Sequence, residues 1–209
     1  MSYSRARERA RDLIFSGEGY SPHMYLDTVS VVTIGYGTAL QEVREVDPVE
    51  LFVIKTGKAA TAAEKATEWK RVQAISPRGA DINRTAKSYA RGAVLRITHT
   101  EAVRQFNKDL DEYADSLRVS YPRFDLFPED AQVAMLDMVY NLGPGFPKTW
   151  TKFTAAVNRP ENKGGPDWRT AAAQSNRYQL SAMRNHEVKA LFLRAAQIAE
   201  AGRRKKGKR

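Results

Sequence analysis

Apolar residues return at helical spacing over most of this chain and cluster as β-formers in one short stretch near its start. Ala6, Ala10, Leu13 and Ile14 fall at i, i+4, i+7 and i+8, with Arg5, Arg7, Glu8, Arg9 and Arg11 on the other faces, which predicts a helix over residues 4–15. Ser16-Gly17 ends it, glycine suiting a left-handed cap. Residues 18–22 read as a loop. Between Met24 and Thr38, the residues Tyr25, Val29, Val31, Val32, Thr33, Ile34 and Tyr36 predict short strands, with Asp27 to Ser30 turning between them. Gly35 and Gly37 keep the strands short, so the sheet is small.

Residues 39–57 carry no clear period. Thr61 with Glu64 forms a capping-box pair, and Ala66, Trp69 and Val72 follow on one face of a helix. Residues 76–87 are turn-rich. Thr98 with Glu101 is a second capping box, opening a long helix whose stripe is Val103, Phe106, Leu110 and Tyr113 and whose end lies near Leu117. Residues 129–142 form the most apolar helix. Ala131, Ala134, Met135, Met138, Val139 and Leu142 keep its period, Gly143 stops it, and it predicts the centre of the core. Shorter helices are expected near 149–158, 166–174 and 185–201. The pattern describes an α+β chain, mostly helical, with one small N-terminal antiparallel sheet.

Charge changes this picture only at the end. The 34 Lys and Arg against 24 Asp and Glu give +10, but six of the basic residues lie in the last seven positions. Without them the charge falls to about +4, so residues 203–209 read as a solvated basic tail able to approach polyanions. The other basic residues are interspersed with acids, and the aromatics follow core periodicity, which argues against a specific nucleic-acid groove. No run approaches the ~18 apolar residues of a membrane span. The N-terminus lacks the apolar core of a signal peptide, so the expectation is synthesis in the cytoplasm without one. With no cysteine, thiolate chemistry is excluded; the three histidines have no metal-ligand spacing, so no structural zinc is expected. His23 reads as a surface residue.

Two acids stand apart from the charged helix faces. Glu18 follows a helix stop, and Asp27 lies among strand formers nine positions later. Thr33 is six positions further, on the returning strand. A hairpin between them brings Asp27 and Thr33 to one end of the sheet. Two carboxylates in different environments suit glycoside hydrolysis, one staying protonated as acid and one ionised, while a hydroxyl orients water. The competing structural reading has Glu18 solvating a helix end and Asp27 making a turn.

The segments Glu18-Gly19-Tyr20, Met24-Tyr25-Leu26-Asp27-Thr28 and Thr33-Ile34-Gly35-Tyr36-Gly37 together resemble the active-site segment of the T-even phage lysozymes. Residues 97–102 with 106–110 look like the helix that links that family's two lobes, and Ala134 to Gly143 like its central helix. Met183-Arg184-Asn185 through Leu191-Phe192 resembles its closing helical region. Residues 58–64 with Trp69 are similar to lysozyme-like bacterial toxins of the pesticin and secreted-effector type. The family's histidine after Gly-x-Gly is Thr38 here, so its ion pair with the linking helix, at Asp109, is absent.

The resemblance implies a lysozyme-like two-lobed fold. Residues 1–96 would be an N-terminal lobe with an extended insertion, residues 97–202 the linking helix and helical C-terminal lobe, and residues 203–209 a basic tail. It implies cleavage of peptidoglycan glycan strands between N-acetylmuramic acid and N-acetylglucosamine, with inversion. Glu18 would be the acid, Asp27 the base or electrostatic stabiliser, and Thr33 the water holder. Arg184 would pair with the catalytic Glu. Gly35 belongs to the matching segment. Tyr20, Tyr25, Tyr36 and Tyr140 are candidates for sugar contact, with core packing as the competing role of Tyr25 and Tyr140. Asn141 either bonds substrate or caps its helix. Two settings follow: an antibacterial effector delivered by a secretion apparatus and neutralised by an immunity protein, or a phage endolysin released through a holin. Both act in the periplasm or cell wall. The alternative is an inactive lysozyme-fold module that binds cell wall or nucleic acid through its basic surface.

Overall fold

The computed structural model describes residues 2–17, 19–75 and 85–206. The fold is α+β and mostly helical, with a three-stranded antiparallel sheet and a second, two-stranded one. Two compact units make up the chain: Glu18–Asp109, and Met1–Gly17 with Leu110–Arg209. This corrects the boundary expected at 96/97. The first helix belongs with the C-terminal residues, and the division falls inside a helix.

In the sheet unit, β1 (Ser21–Leu26), β2 (Val32–Gly35) and β3 (Thr38–Leu40) form a meander. Ser21 and Pro22, expected in a loop, lie in β1. An edge strand with a bulge between Ser21 and Tyr25 tolerates a proline, because no ladder donor is required there. Tyr25 stands opposite Thr33, and Leu26 opposite Val32. The aperiodic residues 39–57 end β3, make a 3-10 turn (Val43–Val46) and form β4 (Leu51–Val53). The partner of β4 is the distant β5 (Leu95–Ile97), with Leu51 opposite Ile97. Three-residue strands are too short to show a period of two, so the pairing is invisible in sequence. His23 is buried, not superficial: its Nε2 lies 2.8 Å from the Ala86 carbonyl.

Helix α2 (Ala62–Gln73) carries both halves of the expected capping box between Thr61 and Glu64. It buries Val72, and the Trp69 indole donates to the Leu40 carbonyl at 2.9 Å. Most of the turn-rich stretch 76–87 lies outside the described residues; its end enters a 3-10 turn (Ala86–Ala90).

Helix α3 (His99–Ser120) runs three residues past the expected end. Its buried stripe is Ala102, Phe106, Leu110, Ala114 and Leu117, while Val103 and Tyr113 are half-buried. Alanines let neighbours approach closely, and the stripe is rotated toward them. The second capping box forms only in part. Thr98 Oγ1 accepts from the Glu101 N–H, but the Glu101 carboxylate accepts from the Glu50 N–H, Arg104 and Gln105.

The helical unit is built on α4 (Glu129–Leu142), which has the expected bounds and ends at Gly143 with φ 78°. Residues 130–139 are all buried, Met135 and Met138 among them. Helix α1 (Ser2–Gly17) packs on it through Ala6, Ala10 and Ile14. The helix expected over 149–158 is α6 (Thr151–Val157), and a short helix that was not expected, α5 (Phe146–Thr149), precedes it across Trp150 with ψ 58°. α7 (Trp168–Ala173) is capped by Asp167, which accepts from the Thr170 N–H at 3.0 Å. α8 (Ala182–Lys206) starts before the expected 185 and continues through Gly202 into the basic run. The expected basic tail therefore begins as helix, which runs through Lys206, with Arg203 and Arg204 exposed. Aromatic rings fill the core, with Phe127 on Trp168 at 4.9 Å and Phe153 on Phe192 at 5.4 Å.

Candidate active site

The β1–β2 hairpin is closed by Asp27 itself. The Asp27 N–H donates to the Val31 carbonyl at 3.0 Å, and Ser30, in left-handed backbone at φ 63°, donates to the Asp27 carbonyl at 3.1 Å. The carboxylate then accepts from the Val29 and Val31 N–H groups at 2.9 and 2.8 Å, both on Oδ1. Asp27 thus makes the turn that its residue type favours, and Oδ2 takes part in neither bond. Thr33 is 3 % exposed, and its hydroxyl donates to the Val31 carbonyl at 3.1 Å. A hydroxyl that has given away its proton keeps lone pairs with which to accept from water. The hairpin therefore brings Asp27 and Thr33 to one end of the sheet. Glu18 lies outside the described residues.

Gly35 has a packing reason. Its φ is +69°, and a Cβ there would lie 3.1 Å from Ala102 Cβ at the start of α3. Only glycine meets both demands without strain. Tyr25 is half-buried opposite Thr33. Tyr20 and Tyr36 form an ordered aromatic cluster with His99. Tyr20 donates to the Ile97 carbonyl at 3.0 Å, the Tyr36 hydroxyl lies 2.8 Å from His99 Nε2, and the three ring centroids are 5.4–5.7 Å apart. Burial raises the pKa of Tyr20, with a smaller push from Tyr36.

The missing histidine of the family pattern leaves a working contact. Thr38 Oγ1 donates to Asp109 Oδ2 at 2.8 Å, so a hydroxyl-to-carboxylate hydrogen bond occupies the place of the ion pair.

In the helical unit, Arg184 has a partner that the sequence reading did not name. Its Nε and Nη2 bond Asp137 Oδ1 at 3.0 and 2.8 Å, and Arg177 Nη2 bonds Oδ2 of the same carboxylate at 2.6 Å. The three side chains are 0–6 % exposed. A buried carboxylate held by two guanidiniums is viable because hydrogen bonds replace the lost water. Asn185 braces the cluster by exchanging bonds with the Arg177 backbone at 2.9 and 2.8 Å. A Cβ at Gly17 would lie 2.8 Å from Arg184 Nη1, so this glycine serves close approach instead of the left-handed cap expected of it. One signal for the cluster was present in sequence: Asp137 interrupts the most apolar helix, where an acid is buried only if paired.

Tyr140 is half-buried and packs edge-on to Tyr113 at 5.7 Å. Asn141 is half-buried in the last turn of α4, and the cap is Gly143. A groove of about 480 Å³ on this unit is lined by Trp150, Lys152, Gln174, Asn176 and Tyr178 among others. Sequence reading missed it, although Tyr178, 96 % exposed among polar turn residues, is the kind of aromatic that a core does not use. Among the described residues, no three His, Asp or Glu side chains gather as a metal site. No model of a protein family and no curated protein matches the chain.

Proposed function

We propose that this protein is a muramidase that hydrolyses the β-1,4 bond between N-acetylmuramic acid and N-acetylglucosamine in peptidoglycan. The observation that carries the reading is the β1–β2 hairpin. It sets Asp27 at the turn, with Oδ1 committed to backbone donors, and Thr33 on the returning strand. Asp27, its Oδ1 fixed by the Val29 and Val31 N–H groups, suits the base or electrostatic role, and the Thr33 hydroxyl suits holding the attacking water. Glu18, next in the chain after α1, is assigned the general acid that protonates the leaving oxygen. Inversion, with water as nucleophile, is the stereochemistry assigned with these roles. The setting assigned is attack on a bacterial wall, by an effector toxin or an endolysin.

The test is the full chain and its Glu18→Gln variant on purified peptidoglycan, followed by turbidity and by mass spectrometry of the fragments. Wild type should release muropeptides with N-acetylmuramic acid at the reducing end. The variant should lose at least about a hundredfold in rate, the usual contribution of a general acid. A wild type that binds the sacculus and releases nothing overturns the enzyme reading and leaves a binding module.

A further inference from the structure

The basic run at the chain end continues a helix, and it lies beside an exposed apolar side chain. α8 remains helical through Lys206, and Arg203 and Arg204 are exposed. Arg203 Nη1 donates to the Gly164 carbonyl at 2.9 Å, which ties the start of the run to the body of the unit. Arg203 then lines a cleft of about 240 Å³ with Arg123, Leu126, Phe127, Pro128 and Trp168. Leu126 is 81 % exposed, while Phe127 and Trp168 are buried below it. The acids nearby already have arginine partners: Glu161 pairs with Arg123, and Glu200 with Arg169 at 2.9 Å. From residue 203 to 209 the sequence has six basic residues and no acid.

We propose that this patch docks the protein onto a lipid surface bearing anionic headgroups. A solitary exposed leucine means little. A leucine at a cleft lined by Phe127, Pro128 and Trp168, with Arg203 and the paired Arg123 and Glu161 at it and a dense basic run adjoining, has the composition of an interfacial contact. The charges meet headgroups, and the apolar tip enters the boundary of the acyl layer. Nucleic acid fits this patch less well. The aromatic rings beside it are buried and offer no face for a base to stack on, and a polyphosphate gives Leu126 nothing to enter. The inference does not depend on the muramidase reading.

The full chain is tested by co-sedimentation with phosphatidylcholine vesicles, with and without phosphatidylglycerol, at low and high salt. Binding should require phosphatidylglycerol and weaken with salt. Reversal of two charges in Arg203→Glu/Arg204→Glu should lower partitioning by at least about tenfold, since each basic residue near such a surface contributes severalfold. Leu126→Ser should lower it by a further factor of about three or more, as lost apolar insertion. Leu126 and Arg204 are exposed and Arg203 gives up only a surface bond to Gly164, so the melting temperature should fall by no more than a few degrees. Glu18→Gln should bind vesicles like wild type, which separates this inference from the enzymatic one. Equal binding to neutral vesicles, or no binding to either kind, overturns the proposal. So does an unaltered Leu126→Ser variant that, like wild type, binds duplex DNA more tightly than vesicles; that result assigns the patch to nucleic acid.

Discussion

Among the described residues, the ion pairs of the sheet unit join side chains two or three positions apart, whereas most of those in the helical unit join distant segments. Asp27 bonds residues two and four positions away, and Thr61 and Glu64 cap α2 across three. Asp137 bonds residues 40 and 47 positions along the chain, and Asp130 bonds Arg9 and Arg194, 121 and 64 away. The difference follows from the elements. Short strands need turns and caps with local chemistry. A packed helix bundle places side chains from remote segments face to face, and a charge trapped there needs a partner from another helix. The long-range polar bonds of the sheet unit are hydrogen bonds instead, among them Thr38 with Asp109, Tyr20 with the Ile97 carbonyl, Tyr36 with His99 and Glu101 with the Glu50 N–H. Net charge divides unevenly too. The sheet unit has 13 basic and 11 acidic residues and the helical unit 21 and 13, with six of the 21 at the chain end.

The strongest way to break this contrast is Asp137→Ala. It leaves Arg177 and Arg184 buried without their carboxylate and should destabilise the helical unit by about 3–5 kcal/mol. Chemical denaturation measures it, and a loss below about 1 kcal/mol would show that water or another group replaces the carboxylate. Gly35→Ala comes next in the sheet unit. Positive φ and a close Ala102 should together cost about 2 kcal/mol, read as a lower thermal midpoint. An unchanged midpoint would mean that β2 relaxes freely.

Thr38→Val keeps shape and deletes the bond to Asp109. A loss of about 1.5 kcal/mol is expected for a hydrogen bond to a charged acceptor, and the Thr38→Val/Asp109→Asn double-mutant cycle should assign it to this pair. Additive effects in the cycle would remove the contact from the account.

Glu101 gives the smallest effect and a pH signature. Burial pushes its pKa up, but the bonds from Arg104, Gln105 and the Glu50 N–H outweigh burial and hold it below the ordinary 4.5. A carboxyl depressed on folding contributes stability above its unfolded pKa and loses it as pH falls through the folded one. Wild type should therefore lose stability more steeply than Glu101→Gln below about pH 4.5. Parallel acid curves for the two proteins would contradict this.

What could be read in the residues follows from how local the cause is. α4 was legible to its end residues because period and terminal glycine both act within one element. The α2 capping box was legible because its partners are three residues apart. In the candidate site, the Asp27 turn and the place of Thr33 on the returning strand were legible for the same reason. β4 and β5 were not, since a pairing between residues 51 and 97 leaves no mark in either three-residue strand. The α3 stripe was misread at its ends because alanine is a weak hydrophobic signal; Ala102 is buried where Gly35 approaches it.

Periodicity, caps and turn chemistry along the chain sufficed for most of the helices and for the Asp27 turn. Tertiary packing alone decided that Arg184 holds Asp137, that His23 is buried, and that the first helix joins the C-terminal unit. Packing also set Leu126 beside Arg203. Local order arises from forces that reach a few residues along the backbone, whereas burial and ion pairing depend on which distant surfaces meet.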